Sequence, residues 1–178
     1  METAVECDER QDLVLGIDPG LNTTGYGLVQ VTGSGPRLVE AGVVRSRAHD
    51  PLEAKLVEIH RGVSELLSSF HPTVMAVEEL YSHYERPTTA ILMGHARGVI
   101  CLAAAQAGVP IHHYAATHIK KVLTGSGRAP KPQVQMAICR EFGLTQAPEP
   151  PDVADALAIA LCHVYFRNVP LDKPWHQS

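Results

Sequence analysis

The sequence predicts an α/β domain in which helices cover a mixed β-sheet. Short β-prone runs fill the segment up to Arg45, and residues 51–70 then repeat apolar side chains at the three- and four-residue spacing of an amphipathic helix. Two further short apolar runs alternate with helical segments. The resulting order is three strands, a helix, a strand, a helix, a strand and then helices, which is typical of a layered α/β domain.

The strands are predicted from apolar runs bounded by turn residues. The first three are Asp12 to Asp18, Thr23 to Thr32 and Arg37 to Arg45, and their short connections indicate an antiparallel meander. The fourth, Thr73 to Val77, is apolar on both faces, as expected of a central strand covered by helices on each side. The fifth is Val109 to His113.

The helices are predicted from periodicity and from prolines placed at their first turns. We expect one domain over residues 12–166, with an N-terminal extension at 1–11 and a polar tail at 167–178. The predicted helices are Pro51 to Phe70, Pro87 to Gln106, Ala115 to Leu123, Pro132 to Glu141 and Asp152 to Phe166.

Composition argues against several classes of protein. The 178 residues, 45% of them hydrophobic, suit one packed domain, and the N-terminus resembles neither a signal nor a transit peptide. The apolar stretches Val99 to Val109 and Val153 to Val164 are interrupted by polar residues, so we expect a cytoplasmic protein without a membrane span. Four separated cysteines without a CxxC pair indicate reduced thiols and not a zinc site or a disulfide scaffold.

Charge is segregated along the chain although its sum is only −4. Between Arg86 and Arg140 there is no Asp or Glu, while seven Lys and Arg residues occur. Such a segment would give one face a positive potential that attracts a polyanion. The alternative is an acid-free segment that merely surrounds a buried apolar helix.

Carboxylates at the ends of predicted strands mark a candidate site. Asp18 precedes Pro19, which favours extended backbone and places Asp18 where α/β sheets bind ligands. Glu78 and Glu79 follow the fourth strand, and because neighbouring strand residues point to opposite faces, at most one of them faces Asp18. Periodicity alone does not choose between them. The alternatives are a turn-initiating Asp and a solvated acidic strand end.

Two further carboxylates share one face of the last helix. Asp152 and Asp155 are three residues apart, and Asp152 also suits an N-cap. Asp155 precedes an almost unbroken apolar run, so we expect a half-buried charge that needs a cation, supplied by a metal or by a residue such as Arg97. A set of oxygen ligands favours Mg²⁺ or Mn²⁺ over zinc, and two such ions can promote phosphodiester hydrolysis.

Motifs of other enzyme classes are absent. The sequence has no GxxxxGK[ST] phosphate loop, GxSxG elbow, HExxH helix or GxGxxG fingerprint. The adjacent His112 and His113 point apart on a short strand and are interpreted as structural.

Five segments, in matching order from Leu13 to about His163, resemble the RuvC family of Holliday-junction resolvases. They are GIDPGLNTTGYGLV, AVEELY, GHARGV, ATHIKKVLTGSGRAPKPQVQ and DVADALAIALCH. The resemblance implies an RNase H-like fold with a five-stranded sheet, a homodimer, and paired symmetric cuts in four-way DNA junctions during recombination and repair. It further implies two Mg²⁺ or Mn²⁺ ions per subunit, 5′-phosphate and 3′-hydroxyl ends, and the branch-migration proteins RuvA and RuvB as partners.

The resemblance also assigns roles to residues of this chain. It favours Glu78 over Glu79 as a ligand, places the dimer contact on the helix from Pro87 to Gln106, and makes Tyr81 an aromatic residue that stacks on an unpaired base. The alternative for Tyr81 is a rim residue packed on the core. The implied catalytic metal ligands are Asp18, Glu78, Asp152 and Asp155, and the implied phosphate-contacting residues are Lys120 and Lys131. Lys121 and Arg128 of the same acid-free segment are further DNA-binding candidates.

Two other functions fit parts of the sequence. A non-catalytic junction-binding subunit would keep the basic segment, but intact carboxylates at all four matched positions argue against it. An actin-like ATPase is suggested by Asp-x-Gly followed by Thr and Gly, but the chain is too short for the two lobes of that class.

Overall fold

Five strands and five helices follow one another in the predicted order in the computed structural model, which describes residues 12–79 and 87–167. Their bounds differ from the predicted ones by at most two residues. The strands are β1 (Leu13–Asp18), β2 (Thr23–Thr32), β3 (Gly35–Arg45), β4 (Val74–Glu78) and β5 (Ile111–Tyr114). The helices are α1 (Leu52–Phe70), α2 (Pro87–Gln106), α3 (Ala116–Thr124), α4 (Lys131–Phe142) and α5 (Pro151–Phe166).

The strands form one mixed sheet in the order β3-β2-β1-β4-β5. The three N-terminal strands pair antiparallel, as short turns allow, which confirms the predicted meander. Strand β4 pairs parallel to β1, and β5 pairs parallel to β4, because α1 and α2 return the chain to the starting end of the sheet. The carboxyl ends of β1, β4 and β5 therefore meet at the same edge of the sheet.

The pairing register assigns alternate residues to the two faces of the sheet. Gly16 of β1 lies opposite Gly27 of β2 and beside Ala76 of β4. The face that carries these residues packs on α5, whereas α1 and α2 cover the reverse face. Buried strand residues of the α5 face include Val14, Val29, Val74 and Ala76, and those of the reverse face include Leu15, Ile17, Met75 and Val77.

Three glycines let α5 approach the sheet very closely. A Cβ atom on Gly16 would lie 2.2 Å from the carbonyl oxygen of Ala156, and one on Gly25 would lie 2.0 Å from the carbonyl oxygen of Asp152. A Cβ on Gly27 would lie 2.6 Å from Cδ2 of Leu157. Since two of these atoms belong to the helix backbone, any larger residue would displace α5 itself.

Helix α2 differs from what the sequence analysis predicts, which is that no apolar stretch is long enough to span a membrane. Its residues Thr88–Gln106 are long and apolar enough to cross a bilayer by length and composition. One such helix is weak support for a membrane protein, although only 22% of this stretch is buried and a core helix would be mostly buried. Ala96, Ile100 and Ala104 of α2 are buried in the core that covers the reverse face of the sheet.

We predict that Gly16→Ala destabilises the protein by about 3 kcal/mol or more, because the added methyl group meets the backbone of α5 and no side chain can move aside. Urea unfolding checks this value. The matched control is Gly33→Ala, whose Cβ would meet nothing within 4 Å, and its stability should stay within about 0.5 kcal/mol of the parent. Equal stabilities for the two variants would contradict the close approach of α5.

Candidate active site

Asp18 and Glu78 occupy the ends of neighbouring parallel strands on the α5 face. Ile17 pairs with Val77, so the next residues along the two strands lie side by side and share the face of Gly16 and Ala76. Glu79 follows the strand, and its backbone N–H donates to the carbonyl oxygen of Tyr114 at 2.9 Å. The register therefore places Glu78, and not Glu79, beside Asp18.

The N-terminal turn of α5 brings Asp152 and Asp155 to the same edge of the sheet. Gly25, which pairs with Asp18, lies directly under the backbone of Asp152. The suggested N-cap role of Asp152 is wrong, because the N-cap is Pro150 and no side chain caps the helix. Asp152 stands instead in the first turn, where its negative charge is favoured by the helix dipole.

Burial and mutual repulsion raise the pKa values of the strand-end carboxylates. Desolvation, followed by the charges of Asp155, Glu78 and Asp152, raises the pKa of Asp18 to about 7. Desolvation and the charge of Asp155 also raise the pKa of Glu78, while Lys120 and Arg97 oppose that shift. The four carboxylates thus form one electrostatic cluster with too little positive charge among its neighbours.

Lys131 supplies part of the missing charge. Its Nζ atom lies 2.7 Å from Oδ2 of Asp155, whose side chain is 35% exposed, which confirms the predicted half-burial. The interaction with Asp155 is the main reason that the pKa of Lys131 is raised. The suggested ion pair of Asp155 with Arg97 is wrong, because Arg97 instead donates to the carbonyl oxygen of Glu78 and contacts His113.

The donor set fits a hard divalent cation. In the parts of the chain that the structure describes, no three Asp, Glu, His or Cys side chains converge closely enough to hold an ion as they stand. The chemistry nevertheless suits Mg²⁺ or Mn²⁺, since the candidate ligand atoms are all oxygens and added positive charge would lower the raised pKa values of Asp18 and Glu78.

A pocket of about 250 Å³ opens beside the cluster and carries two of the predicted phosphate-contacting residues. Lys120 of α3 and Lys131 of α4 line it together with Glu78 and Asp155. Lys121 and Arg128 are exposed and do not line this pocket. Tyr81, the predicted stacking residue, lies outside the described residues.

A larger cavity of about 750 Å³ lies at the opposite edge of the sheet, around His71 and Pro110. No Asp, Glu, Lys or Arg lines this cavity. Although it is larger, it therefore lacks the charged side chains that phosphate chemistry requires. The smaller charged pocket is the better candidate because it joins carboxylates to cations.

A buried hydrogen bond that the sequence did not predict supports this edge of the sheet. The hydroxyl of Tyr114, the last residue of β5, lies 2.7 Å from Nδ1 of His163 on α5. Burial lowers the pKa of His163 to about 4, so the ring is neutral at pH 7. The ring of His112 also lies 4.8 Å from that of His163, which agrees with a structural role for His112. In the sequence, the position of the polar residue His163 within the apolar α5 was the feature that could have predicted this hydrogen bond.

Comparison with known proteins decides the family. The family model described as crossover junction endodeoxyribonuclease RuvC matches residues 14–163. The chain belongs to the RuvC family. The RuvC of Rhodopirellula baltica is 58% identical over 162 residues, which cover 90% of each sequence. The RuvC of Moorella thermoacetica is 42% identical over 165 residues, covering 93% of this chain and 95% of the relative.

A solved RuvC structure shows the same fold. The structure of T. thermophilus RuvC in complex with a Holliday junction substrate matches with a TM-score of 0.82 and 38% identity, covering 87% of this chain and 94% of that chain. The predicted RNase H-like fold and the membership of a family of endodeoxyribonucleases are thereby confirmed. Members of this family depend on divalent metal ions.

We predict that Asp18→Asn stabilises the metal-free protein at about pH 8 by roughly 2–4 kcal/mol, because it removes an ionised group from a buried negative cluster. In the native state Asp18 keeps its proton up to about pH 7, whereas its ordinary pKa is 3.8. The native state therefore binds the extra proton, and the stability of the parent falls as the pH rises between these two values.

Urea unfolding in EDTA at about pH 5 and pH 8 measures this effect. Asp50→Asn, outside the cluster in the turn before α1, serves as the control and should follow the parent. The prediction would be contradicted if the parent protein became more stable between the two pH values and Asp18→Asn did not increase its stability. Repulsion would then not destabilise the cluster.

Proposed function

We propose that this chain resolves four-way Holliday junctions by paired, symmetric phosphodiester cuts in two opposed strands. The observation that carries the proposal is the meeting of Asp18 and Glu78 with Asp152 and Asp155 at one sheet edge, beside a pocket lined by lysines. The T. thermophilus RuvC was solved with a Holliday junction substrate, which supports the choice of DNA shape.

In this proposal the four carboxylates hold two Mg²⁺ or Mn²⁺ ions. When bound, such a pair activates a water for in-line attack and stabilises the leaving oxygen, giving 5′-phosphate and 3′-hydroxyl ends. Lys120 and Lys131 hold the DNA phosphate in the pocket they line. Lys131 also pairs with Asp155, so a phosphate in the pocket and that carboxylate would compete for its ammonium group.

The more exposed basic residues extend this contact. Lys121 and Arg128 lie in the acid-free segment and can bind backbone phosphates outside the pocket. Tyr81 follows the strand that ends at Glu78 by only three residues, and we assign it to stacking on an unpaired base near the junction.

We also propose that the protein acts as a homodimer through α2. Ile91 and Leu102 of this helix are 61% and 50% exposed, and the glycines Gly94 and Gly98 leave an open surface between them. An exposed apolar stripe of this kind suits a two-fold helix contact. Two copies supply the two sites that paired cuts require, and RuvA and RuvB in the cytoplasm would deliver the junction.

Cleavage of a mobile four-way junction tests the function, with linear duplex and an RNA–DNA hybrid as competing substrates. We expect nicks in two opposed strands of the junction in Mg²⁺ and none in EDTA. A labelled junction that is shifted but never nicked in Mg²⁺ would support the non-catalytic alternative.

Adjacent glutamates provide the sharpest variant pair. Glu78→Gln should slow cleavage by more than roughly 100-fold, because it removes a charged ligand on the face of Asp18. Loss of an outer-shell partner of a metal ligand has a smaller effect than this. Glu79→Gln should cleave at close to the parent rate and bind the junction equally. Equal rates for the two variants would remove Glu78 from the ligand set.

Sedimentation tests the dimer. Ile91→Glu places a charge on the exposed stripe of α2 and should give a monomer, because the apolar contact would bury that charge. Met136→Glu, at an even more exposed apolar position on α4, is the control and should remain dimeric. If both variants sediment like the parent, the dimer contact lies elsewhere.

A further inference from the structure

Arg97 joins α2 to the strand end that carries Glu78. The guanidinium reaches the edge of the sheet from the reverse face, opposite the face on which Asp18 and α5 lie. Its Nη1 donates to the backbone carbonyl oxygen of Glu78 at 2.9 Å, and its Nη2 donates to Nδ1 of His113 at 2.6 Å. One side chain therefore bridges the ends of the neighbouring parallel strands β4 and β5.

The position of these contacts explains their importance. Pairing of β4 with β5 ends at Glu78 and Tyr114, and the N–H of the peptide group that follows Glu78 donates to the carbonyl oxygen of Tyr114. Arg97 holds the carbonyl oxygen of the same peptide group, so that both of its polar atoms are hydrogen-bonded. A hydrogen bond to the carbonyl of Glu78 fixes the plane of that peptide group, and this plane sets the direction in which the Glu78 side chain leaves the backbone. The planar guanidinium can make both contacts at once in a fixed geometry.

We propose that Arg97 is a positioning residue that fixes Glu78 for metal binding from the reverse face of the sheet. Arg97 itself touches neither substrate nor metal. This inference rests on the proposed function, because it takes Glu78 to be a metal ligand. It also gives α2 a second task, since the same helix carries the exposed stripe that we assign to the dimer contact.

Calorimetric titration of the junction-free, full-length protein with Mn²⁺ tests the inference without using activity. Arg97→Gln should weaken Mn²⁺ binding about 10-fold or more, as loss of an outer-shell partner does. Arg97→Lys should fall between that variant and the parent, because an ammonium can donate to the carbonyl but cannot also reach His113 in the same planar geometry. Arg140→Gln, an exposed charge in the last turn of α4, should bind like the parent.

Two further measurements separate positioning from a general structural role. The Mg²⁺ concentration for half-maximal junction cleavage should rise in parallel with the loss of Mn²⁺ affinity, while junction binding in EDTA and sedimentation stay at parent values. Unchanged Mn²⁺ affinity in Arg97→Gln overturns the inference. A lower Mn²⁺ affinity overturns it too if Arg97→Gln also loses the dimer, or if Arg140→Gln loses as much Mn²⁺ affinity. If Arg97→Gln does not fold, parent-like Mn²⁺ affinity in Arg97→Lys overturns it.

Glu78→Gln, measured alongside, separates this inference from the proposed function. Normal Mn²⁺ binding by Glu78→Gln would show that Glu78 is not a ligand, and the proposed ligand set would fail first. Weak Mn²⁺ binding by Glu78→Gln together with a normal Arg97→Gln would leave that ligand set intact and overturn only the role of Arg97.

Discussion

Repulsion among four carboxylates is the constraint on which the rest of this structure depends. The fold holds Asp18 and Glu78 on adjacent strand ends and presses Asp155 and Asp152 against them from α5, although burial makes such charges costly. The large apolar interface between α5 and the sheet offsets this cost, since eleven residues of α5 are buried. Lys131, whose Nζ atom lies 2.7 Å from Oδ2 of Asp155, neutralises part of the negative charge of the cluster.

The two faces of the sheet contribute differently to the site. The α5 face supplies carboxylates and, through the Tyr114–His163 hydrogen bond, ties the last strand to α5. The four carboxylates lie on the other side from α2, which rests on the reverse face, and its Arg97 donates to the carbonyl oxygen of Glu78 at the strand end. The exposed stripe of α2 and the carboxylate cluster therefore lie on opposite faces of one sheet, and the side chain of Arg97 connects α2 to the strand end that carries Glu78.

Much of this arrangement was predictable because it depends on the local pattern of apolar and polar residues. Strand and helix periods gave the order of elements, and the apolar character of β4 gave its central place in the sheet. Periodicity could not choose between Glu78 and Glu79, and the family resemblance favoured Glu78. The register with β1, which no local pattern contains, places Glu78 beside Asp18. The partner of Asp155 was missed for the same reason, since Lys131 and Asp155 meet only when α4 and α5 pack.

Gly16, Gly25 and Gly27 together set the short distance between the sheet and α5. Because they have no side chains, these glycines contribute no functional group to the site. Yet the close approach that they allow decides how far the helix carboxylates stand from the strand carboxylates. In this fold, the spacing of the carboxylates is set by residues that carry no side chain at all.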